Sequence, residues 1–330
     1  MRTTTDTLML PLDALIAMAR GGERVSALDG ISSLLLPLDE TPAPEDHQAL
    51  DPWLRSAGCP VIGIGSAAAP LAAACDTVVS DQEEAQPLLA RISAAPLAAS
   101  VFVQLLRATE RMALAPALFA ESLAYSMLQA GPEYRRWLET RRASRPEPVL
   151  DEGPAVLLRR DGDTLRLTLN RASLRNAMSV EMRDALITAL RQVDADTRQL
   201  HIDALGKCFS TGGDLGEFGS APDPATAHLV RSLALPGREL AARAARAEVR
   251  VHGACIGSGI EFPAFAGRIN ASANAWFQLP ELEFGLIPGA GGCVSIPRRI
   301  GRQRTAWMVL SARRIDAPTA LAWGLVDAVS

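Results

Sequence analysis

The chain has 330 residues, with 33 Lys and Arg against 37 Asp and Glu and a formal net charge of −4 at pH 7. This weakly acidic balance argues against a nucleic-acid-binding protein, which normally carries a basic domain or stripe. Hydrophobic residues make up 48% and charged residues 21% of the chain, which is close to globular averages and argues against disorder. At roughly 150 residues per domain, the length is compatible with two units or with one large α/β unit.

The cysteines and the apolar runs bear on the cellular compartment. Five widely spaced cysteines without a C-x-x-C pair indicate free thiols in a reducing compartment. The first twenty residues contain Asp6 and Asp13, so we expect no signal peptide. The longest apolar stretch, 92–106, is shorter than a membrane span. We therefore expect a soluble, cytoplasmic protein that binds neither a membrane nor nucleic acid.

In the first half of the chain, short buried strands are predicted at 31–38 and 60–65. A helical run starts near 82 and breaks at Pro96, and a second run over 117–142 breaks at Gly131. Residues 144–154 contain three prolines and a glycine, which predicts a linker.

After the linker, strands and helices are predicted to alternate around two glycine-bearing loops, 206–215 and 253–261. The pattern of apolar residues and turn residues indicates an α/β fold. The predicted strands are 155–160, 164–169, 199–205, 249–252, 267–272 and 276–278, and the predicted helices are 179–196, 224–247, 302–311 and 317–322.

The two glycine-bearing loops each follow a predicted strand and precede a predicted helix. Backbone N–H groups at such junctions are unpaired, and two facing loops can hold one developing oxyanion. Gly213 and Ser258 would supply the two N–H groups, although glycines that only permit tight turns explain either loop alone. The loops do not match a dinucleotide fingerprint, and the single lysine, Lys207, precedes no phosphate-binding loop.

Two glutamates stand in apolar surroundings: Glu261 precedes Phe262, and Glu281 follows Pro280. Such surroundings raise the pKa of a carboxyl group, which suits proton transfer near neutral pH. Taken singly, each glutamate would more often be a helix-end or surface acid. The four histidines do not cluster at ligand spacing, so we expect no metal site. Cys208 and Cys255 are expected to be inert core residues rather than nucleophiles.

Residues 155–330 resemble the crotonase (enoyl-CoA hydratase/isomerase) superfamily through five ordered motifs. These are Asn170-Arg-Ala-Ser-Leu-Arg-Asn-Ala177, Phe209-Ser-Thr-Gly-Gly-Asp-Leu215, His252-Gly-Ala-Cys-Ile-Gly-Ser-Gly-Ile-Glu261, Pro280-Glu-Leu-Glu-Phe-Gly-Leu-Ile-Pro-Gly-Ala-Gly-Gly292 and Ala322-Trp-Gly-Leu-Val-Asp327. The resemblance implies a spiral of ββα units and a CoA thioester substrate, with no further cofactor. It also implies a homo-oligomer, a trimer or a hexamer.

The same resemblance assigns site residues. The thioester oxygen would lie between the amides of Gly213 and Ser258, where the family usually has glycine at the second position. Glu261 and Glu281 match the two glutamates that handle one water in enoyl-CoA hydratases. Arg175 is a candidate phosphate contact, although an arginine there can simply cover the surface. The remaining expected substrate contacts are Ala177, Thr211, Gly212, Asp214, Gly257, Pro280 and Gly289.

The resemblance leaves the first half of the chain open. Family members usually continue beyond the position of Asp327 with further helices, and residues 75–142 look similar to that missing part. We therefore weigh a displaced C-terminal module at 75–142 against an unrelated helical extension. The resulting division is an unassigned α/β segment at 1–74, a helical module and linker at 75–150, and a catalytic core at 151–330.

The paired glutamates favour hydration of a 2-enoyl-CoA. Isomerisation, thioester hydrolysis and a cofactor-free oxygenation are alternatives that use the same oxyanion site. A non-catalytic acyl-CoA-binding scaffold is an alternative of a different class, which Ser258 favours and the two glutamates oppose. The sequence does not indicate the acyl chain or the pathway.

Overall fold

The structure is a computed structural model that describes residues 6–141 and 153–330. The predicted linker, 144–154, lies outside the described residues apart from its last two positions. Three sheets and thirteen helices are seen in the described part of the chain, together with short 3₁₀ turns.

The first half begins with a four-stranded parallel sheet in the order β1-β2-β3-β4. Neighbouring residues on its strands point to opposite faces of the sheet. Leu35 belongs to the large apolar core that includes the second half of the chain, whereas Leu34 and Leu36 pack against the N-terminal helices. Four further helices follow this sheet. The elements are β1 (Asp6–Met9), α1 (Leu12–Gly21), β2 (Ile31–Pro37), α2 (Pro44–Ser56), β3 (Val61–Ile64), β4 (Thr77–Val79), α3 (Gln82–Ala94), α4 (Pro96–Thr109), α5 (Leu114–Gln129) and α6 (Pro132–Arg141).

The second half contains a six-stranded sheet, β13-β10-β8-β7-β6-β5, and a three-stranded sheet, β12-β11-β9. Twice, a strand of the larger sheet is followed by a strand of the smaller sheet and then by helical turns, which gives ββα units. The elements are β5 (Val156–Asp161), β6 (Thr164–Leu169), α7 (Val180–Leu190), β7 (Gln199–Ala204), α8 (Pro224–Leu233), α9 (Pro236–Ala241), β8 (Ala247–Val251), β9 (Ala254–Ile256), α10 (Ser258–Glu261), β10 (Arg268–Ala271), β11 (Trp276–Gln278), α11 (Gly292–Ile300), α12 (Arg302–Ser311), β12 (Ile315–Asp316), α13 (Ala317–Trp323) and β13 (Ala328–Val329).

Several predicted boundaries were wrong. The helix predicted at 224–247 is interrupted, because Pro236 has no N–H to continue the ladder and instead starts α9. The helix predicted at 179–196 ends at Leu190, and the second glycine-bearing loop contains strand β9. The predicted strands at 31–38, 60–65 and 164–169 are present as β2, β3 and β6, and the breaks at Pro96 and Gly131 are also observed.

One continuous apolar core joins the two halves. Leu88, Ile92 and Phe102 of α3 and α4 belong to the same buried cluster as Val249 and Met308 of the second half. Helices α3 to α6 therefore cover the second half directly. Whether they replace the helices that usually end the family's chains stays a prediction.

Within the described residues, no individual helix combines the length and the apolar composition that crossing a membrane requires. Helices α3 and α4 taken together meet those criteria, and the two helices bend by 109° where they join.

Candidate active site

The two glycine-bearing loops lie side by side. Phe209 N donates to His252 O at 2.7 Å, and Ile256 N donates to Ser210 O at 3.1 Å. Gly212 has φ +93°, and a Cβ added to it would lie 2.9 Å from the carbonyl oxygen of Ile256. Glycine is therefore required at Gly212 both by its conformation and by the close approach of the second loop.

Each loop offers one backbone N–H to the same cavity. The amides of Gly213 and Ser258 donate to no acceptor among the described residues, and Ser258 is the first residue of helix α10. The first amides of a helix have no partner within it and carry its positive dipole end. Two such donors beside one cavity of about 330 Å³ form an arrangement that can stabilise an oxyanion.

Most of the predicted site residues line this central cavity: Thr211, Gly212, Gly213, Gly257, Ser258, Glu261, Pro280, Glu281 and Gly289. Asp214 lines an adjoining cavity of about 440 Å³ instead. Arg175 and Ala177 line neither cavity. Arg175 has a positive φ of 54°, and its carbonyl accepts a hydrogen bond from Thr211 N. The substrate roles of Arg175, Ala177 and Asp214 stay predictions.

Glu261 is held by the chain segment that leads into the start of α11. Its Oε2 accepts from Ala290 N at 2.7 Å and from Gly292 N at 2.9 Å, and the residue is 2% exposed. Burial raises the pKa of Glu261 to about 7, while the two backbone N–H donors oppose that shift by favouring the carboxylate. One oxygen of Glu261 is therefore fixed and the other is left for chemistry.

Glu281 has a different environment. It follows Pro280 at the start of a 3₁₀ turn, and its Oε2 is buried without a hydrogen-bond partner among the described residues. Burial raises the pKa of Glu281 well above its ordinary value, and the nearby Glu261 raises it further. These contributions favour the neutral form of Glu281.

The two carboxyl groups meet beside one glycine. A Cβ added to Gly257 would lie 2.7 Å from Glu281 Oε1 and 3.8 Å from Glu261 Oε1. Gly257 also has φ +50°, so a side chain there would be both strained and in collision with Glu281. A hydrogen-bonded carboxylate and a protonated carboxyl group at one cavity are suited to moving two protons in opposite directions.

Helix α5 supplies two site residues that the sequence analysis did not single out. Glu121 is 1% exposed, and its carboxyl oxygens accept from Gly291 N at 2.7 Å and Cys293 N at 2.9 Å. Tyr125 lines the central cavity and packs on Gly289, where an added Cβ would lie 2.1 Å from the ring. Their spacing of four residues on an apolar helix was the available signal, because it puts both on one face.

Other cavity residues also escaped the sequence analysis: Met178, Leu215, Phe218, Arg231, Phe284 and Leu286. The first half of the chain thus contributes Tyr125 to a cavity whose remaining lining comes from the second half.

The cysteines lie in the core, and His252 contacts the backbone. All five cysteines are free and buried, and burial raises the pKa of Cys208 and of Cys255. His252 Nε2 lies 3.0 Å from Gly206 O, at the end of a strand. Among the described residues, no group of three or more His, Cys, Asp or Glu side chains is arranged to hold a metal ion.

Comparison with known proteins agrees with this geometry. The family model for enoyl-CoA hydratase/isomerase matches residues 160–330. A 2,3-dehydroadipyl-CoA hydratase of Escherichia coli K12 is 32% identical over 180 residues, which cover 53% of this chain and 68% of the relative.

Two solved structures show the same fold. An enoyl-CoA hydratase of Mycobacterium smegmatis is 29% identical, with a TM-score of 0.50 over 54% of this chain and 70% of that one. Pseudomonas aeruginosa DspI is 27% identical, with a TM-score of 0.50 over 56% of this chain and 77% of that one. The expected α/β crotonase fold is confirmed, and the chain belongs to the enoyl-CoA hydratase/isomerase family.

Proposed function

We propose that the protein is a lyase that adds water to a 2-enoyl-CoA thioester. The observation that carries this proposal is the pair of buried glutamates whose Oε1 atoms lie beside Gly257, next to two unpaired backbone N–H groups. The name of the Escherichia coli relative, a hydratase, supports the same reaction.

The reaction follows from the different environments of the two glutamates. The amides of Gly213 and Ser258 donate to the thioester oxygen and stabilise the charge that develops on it. The Glu261 carboxylate takes a proton from water as the water oxygen bonds to C3. The protonated Glu281 gives its proton to C2, so the C2–C3 double bond becomes single. Proton count and charge balance without any cofactor beyond the CoA moiety of the substrate.

The substrate contacts are part of the same proposal. Thr211, Gly212, Gly257, Pro280 and Gly289 line the central cavity and would surround the thioester and the reacting carbons. The roles of Ala177, Asp214 and Arg175 toward the CoA moiety rest on the family resemblance.

The decisive test is the loss of thioester-conjugated absorbance when a 2-enoyl-CoA is hydrated. We expect Glu281→Gln to lower kcat by about 10²–10⁴-fold, because the amide cannot supply the proton. Glu283→Gln is the matched control, since Glu283 lies in the same 3₁₀ turn but is exposed and paired with Arg91 at 2.6 Å. An active wild type with an equally active Glu281→Gln variant would refute the mechanism.

Mass spectrometry of the products distinguishes the alternatives that use the same oxyanion site. Gain of one water supports hydration, whereas unchanged mass with a moved double bond, release of CoA, or gain of oxygen atoms would support isomerisation, hydrolysis or oxygenation. Tight binding of CoA esters without turnover would support a scaffold.

We also propose that the protein forms a homo-oligomer, a trimer or a hexamer. Helices α5 and α8 pack together and expose apolar side chains: Phe119, Leu123, Met127, Leu229 and Leu233. Such contiguous exposure is typical of an interface. We expect light scattering to give three or six times the chain mass, and Leu233→Glu to shift the protein towards the monomer. A wild-type monomer at working concentrations would contradict the proposal.

A further inference from the structure

Arg231 of α8 lies at the junction of the two adjoining cavities. It lines the central cavity, where Glu261 and Glu281 lie, and also the neighbouring cavity. The neighbouring cavity continues along α8 past Thr226, Ala227 and Val230. An acyl chain that extends beyond the reacting carbons can therefore reach the Arg231 guanidinium group.

Neutral groups of α5 hold the guanidinium group in place. Its Cζ lies 4.0 Å from the centroid of the Tyr125 ring, NH1 donates to Ser126 Oγ at 2.9 Å, and NH2 lies 3.5 Å from Gln129 Oε1. Among the ion pairs between described residues, none involves Arg231. These contacts orient the cation and leave its charge without an ion-pair partner.

The titratable groups near Arg231 do not supply the missing partner. The acidic groups that act on it electrostatically, Glu121 and Glu261, each accept two backbone N–H groups from residues 290–293, and among the described residues neither forms a hydrogen bond or an ion pair with Arg231. Burial also lowers the pKa of Arg231 itself.

The other charged residues of the neighbouring cavity already have partners. Arg183 is paired with Asp184 at 2.8 Å. Asp214 accepts from Gly216 N and Glu217 accepts from Val180 N, both at 2.8 Å. Arg231 is thus the cavity cation that is available for a ligand in the described part of the chain.

We propose that Arg231 binds a carboxylate at the far end of the acyl chain, so that the preferred substrates are ω-carboxylated 2-enoyl-CoA thioesters. A guanidinium group presents a planar fork of donors that matches a carboxylate, and a half-buried cation without a partner favours an anionic ligand. This inference rests on the proposed hydration and names its substrate class.

The test compares 2-enoyl-CoA thioesters of equal chain length that end either in a carboxylate or in a methyl group. We expect the wild type to hydrate the carboxylated series with the higher kcat/KM. Arg231→Met should reduce that preference by about 10–100-fold, the magnitude of a charged hydrogen bond. Arg183→Met is the matched control, because Arg183 lines the same cavity but has its own partner, and it should keep the preference.

Two results would overturn the inference. One is a wild type that does not prefer the carboxylated substrates. The other is an Arg231→Met variant that loses the same activity on both series, which would give Arg231 a purely structural or electrostatic role.

Calorimetric binding of two saturated acyl-CoA thioesters, one ending in a carboxylate and one in a methyl group, tests this inference independently of the proposed hydration. Tighter binding of the carboxylated ester that depends on Arg231 supports the carboxylate site even if nothing is hydrated. Hydration without any carboxylate preference would refute the site and leave the hydratase proposal intact.

Discussion

At the scale of single residues, burial and hydrogen bonding give chemically similar glutamates different properties. Glu261 receives two backbone N–H donors, whereas Oε2 of Glu281 has no partner among the described residues. Donors that favour the charged form oppose the desolvation of Glu261, and Glu281 lacks comparable support. One residue is consequently suited to accept a proton and the other to donate one.

The pH dependence of kcat/KM follows from these pKa shifts, because kcat/KM reports the ionisation of the free enzyme. Below about pH 7 Glu261 becomes protonated and can no longer take a proton from water, so we expect kcat/KM to fall as the pH decreases. On the alkaline side kcat/KM should fall again when Glu281 loses its proton, at a pH well above the ordinary range of a carboxyl group. Steady-state rates across the pH range measure both limbs, and an acid limb near the ordinary glutamate pKa of 4.5 would contradict the assignment of Glu261.

At the scale of elements, the start of α11 joins three parts of the molecule. Four successive amides, from Ala290 to Cys293, donate alternately to Glu261 and Glu121. The first amides of a helix need acceptors from outside the helix, and here α5 and α10 supply them. Helix α5 therefore fixes the same segment that fixes the Glu261 carboxyl group.

We expect Glu121→Gln to destabilise the fold by about 1–3 kcal/mol, because one amide of the segment loses its acceptor in a buried site. Denaturant unfolding followed by circular dichroism measures the change. The matched control is Glu139→Gln on the exposed side of α6, where we expect a change within about 0.5 kcal/mol. Equal stability of the two variants would show that the Glu121 carboxyl group does not support α11.

At the scale of the whole molecule, Asp76 links the N-terminal sheet to the second half. Its carboxylate accepts from Val61 N at 2.8 Å, from Arg107 Nε at 2.8 Å and from Arg302 NH1 at 3.0 Å. Asp76 and Arg302 are both buried. This network and the shared apolar core explain why the two halves pack as one body, although the predicted division into domains stays a prediction.

Loss of the Asp76 carboxylate should be strongly destabilising. We expect Asp76→Ala to cost about 3–5 kcal/mol, because it removes the buried carboxylate that two buried or half-buried guanidinium groups share. Asp51→Ala is the control, since the Asp51–Arg55 pair is exposed and is worth at most about 1 kcal/mol. Thermal unfolding of the purified variants measures both, and a similar loss for the two would refute the role of Asp76.

Local sequence determined much of this protein. Turn residues and apolar periodicity were sufficient to predict β2, β3, β6, β7, α3, α4, α12 and α13, because their signals lie within a few neighbouring residues. The motifs around Gly213, Gly257 and Glu281 likewise identified half of the residues that line the central cavity, since each motif is continuous in the chain.

Only the tertiary structure decided which distant residues complete the site. Glu121 and Arg231 are 110 positions apart in the chain and lie on separate helices. No local sequence pattern therefore marks them as neighbours. Their importance comes from burial and from a missing or shared partner, and both properties exist only once the first half of the chain has packed on the second. The sequence therefore determined which glutamates and glycine-bearing loops are present, because each lies in a continuous motif, while packing decided the electrostatic environment of their functional groups.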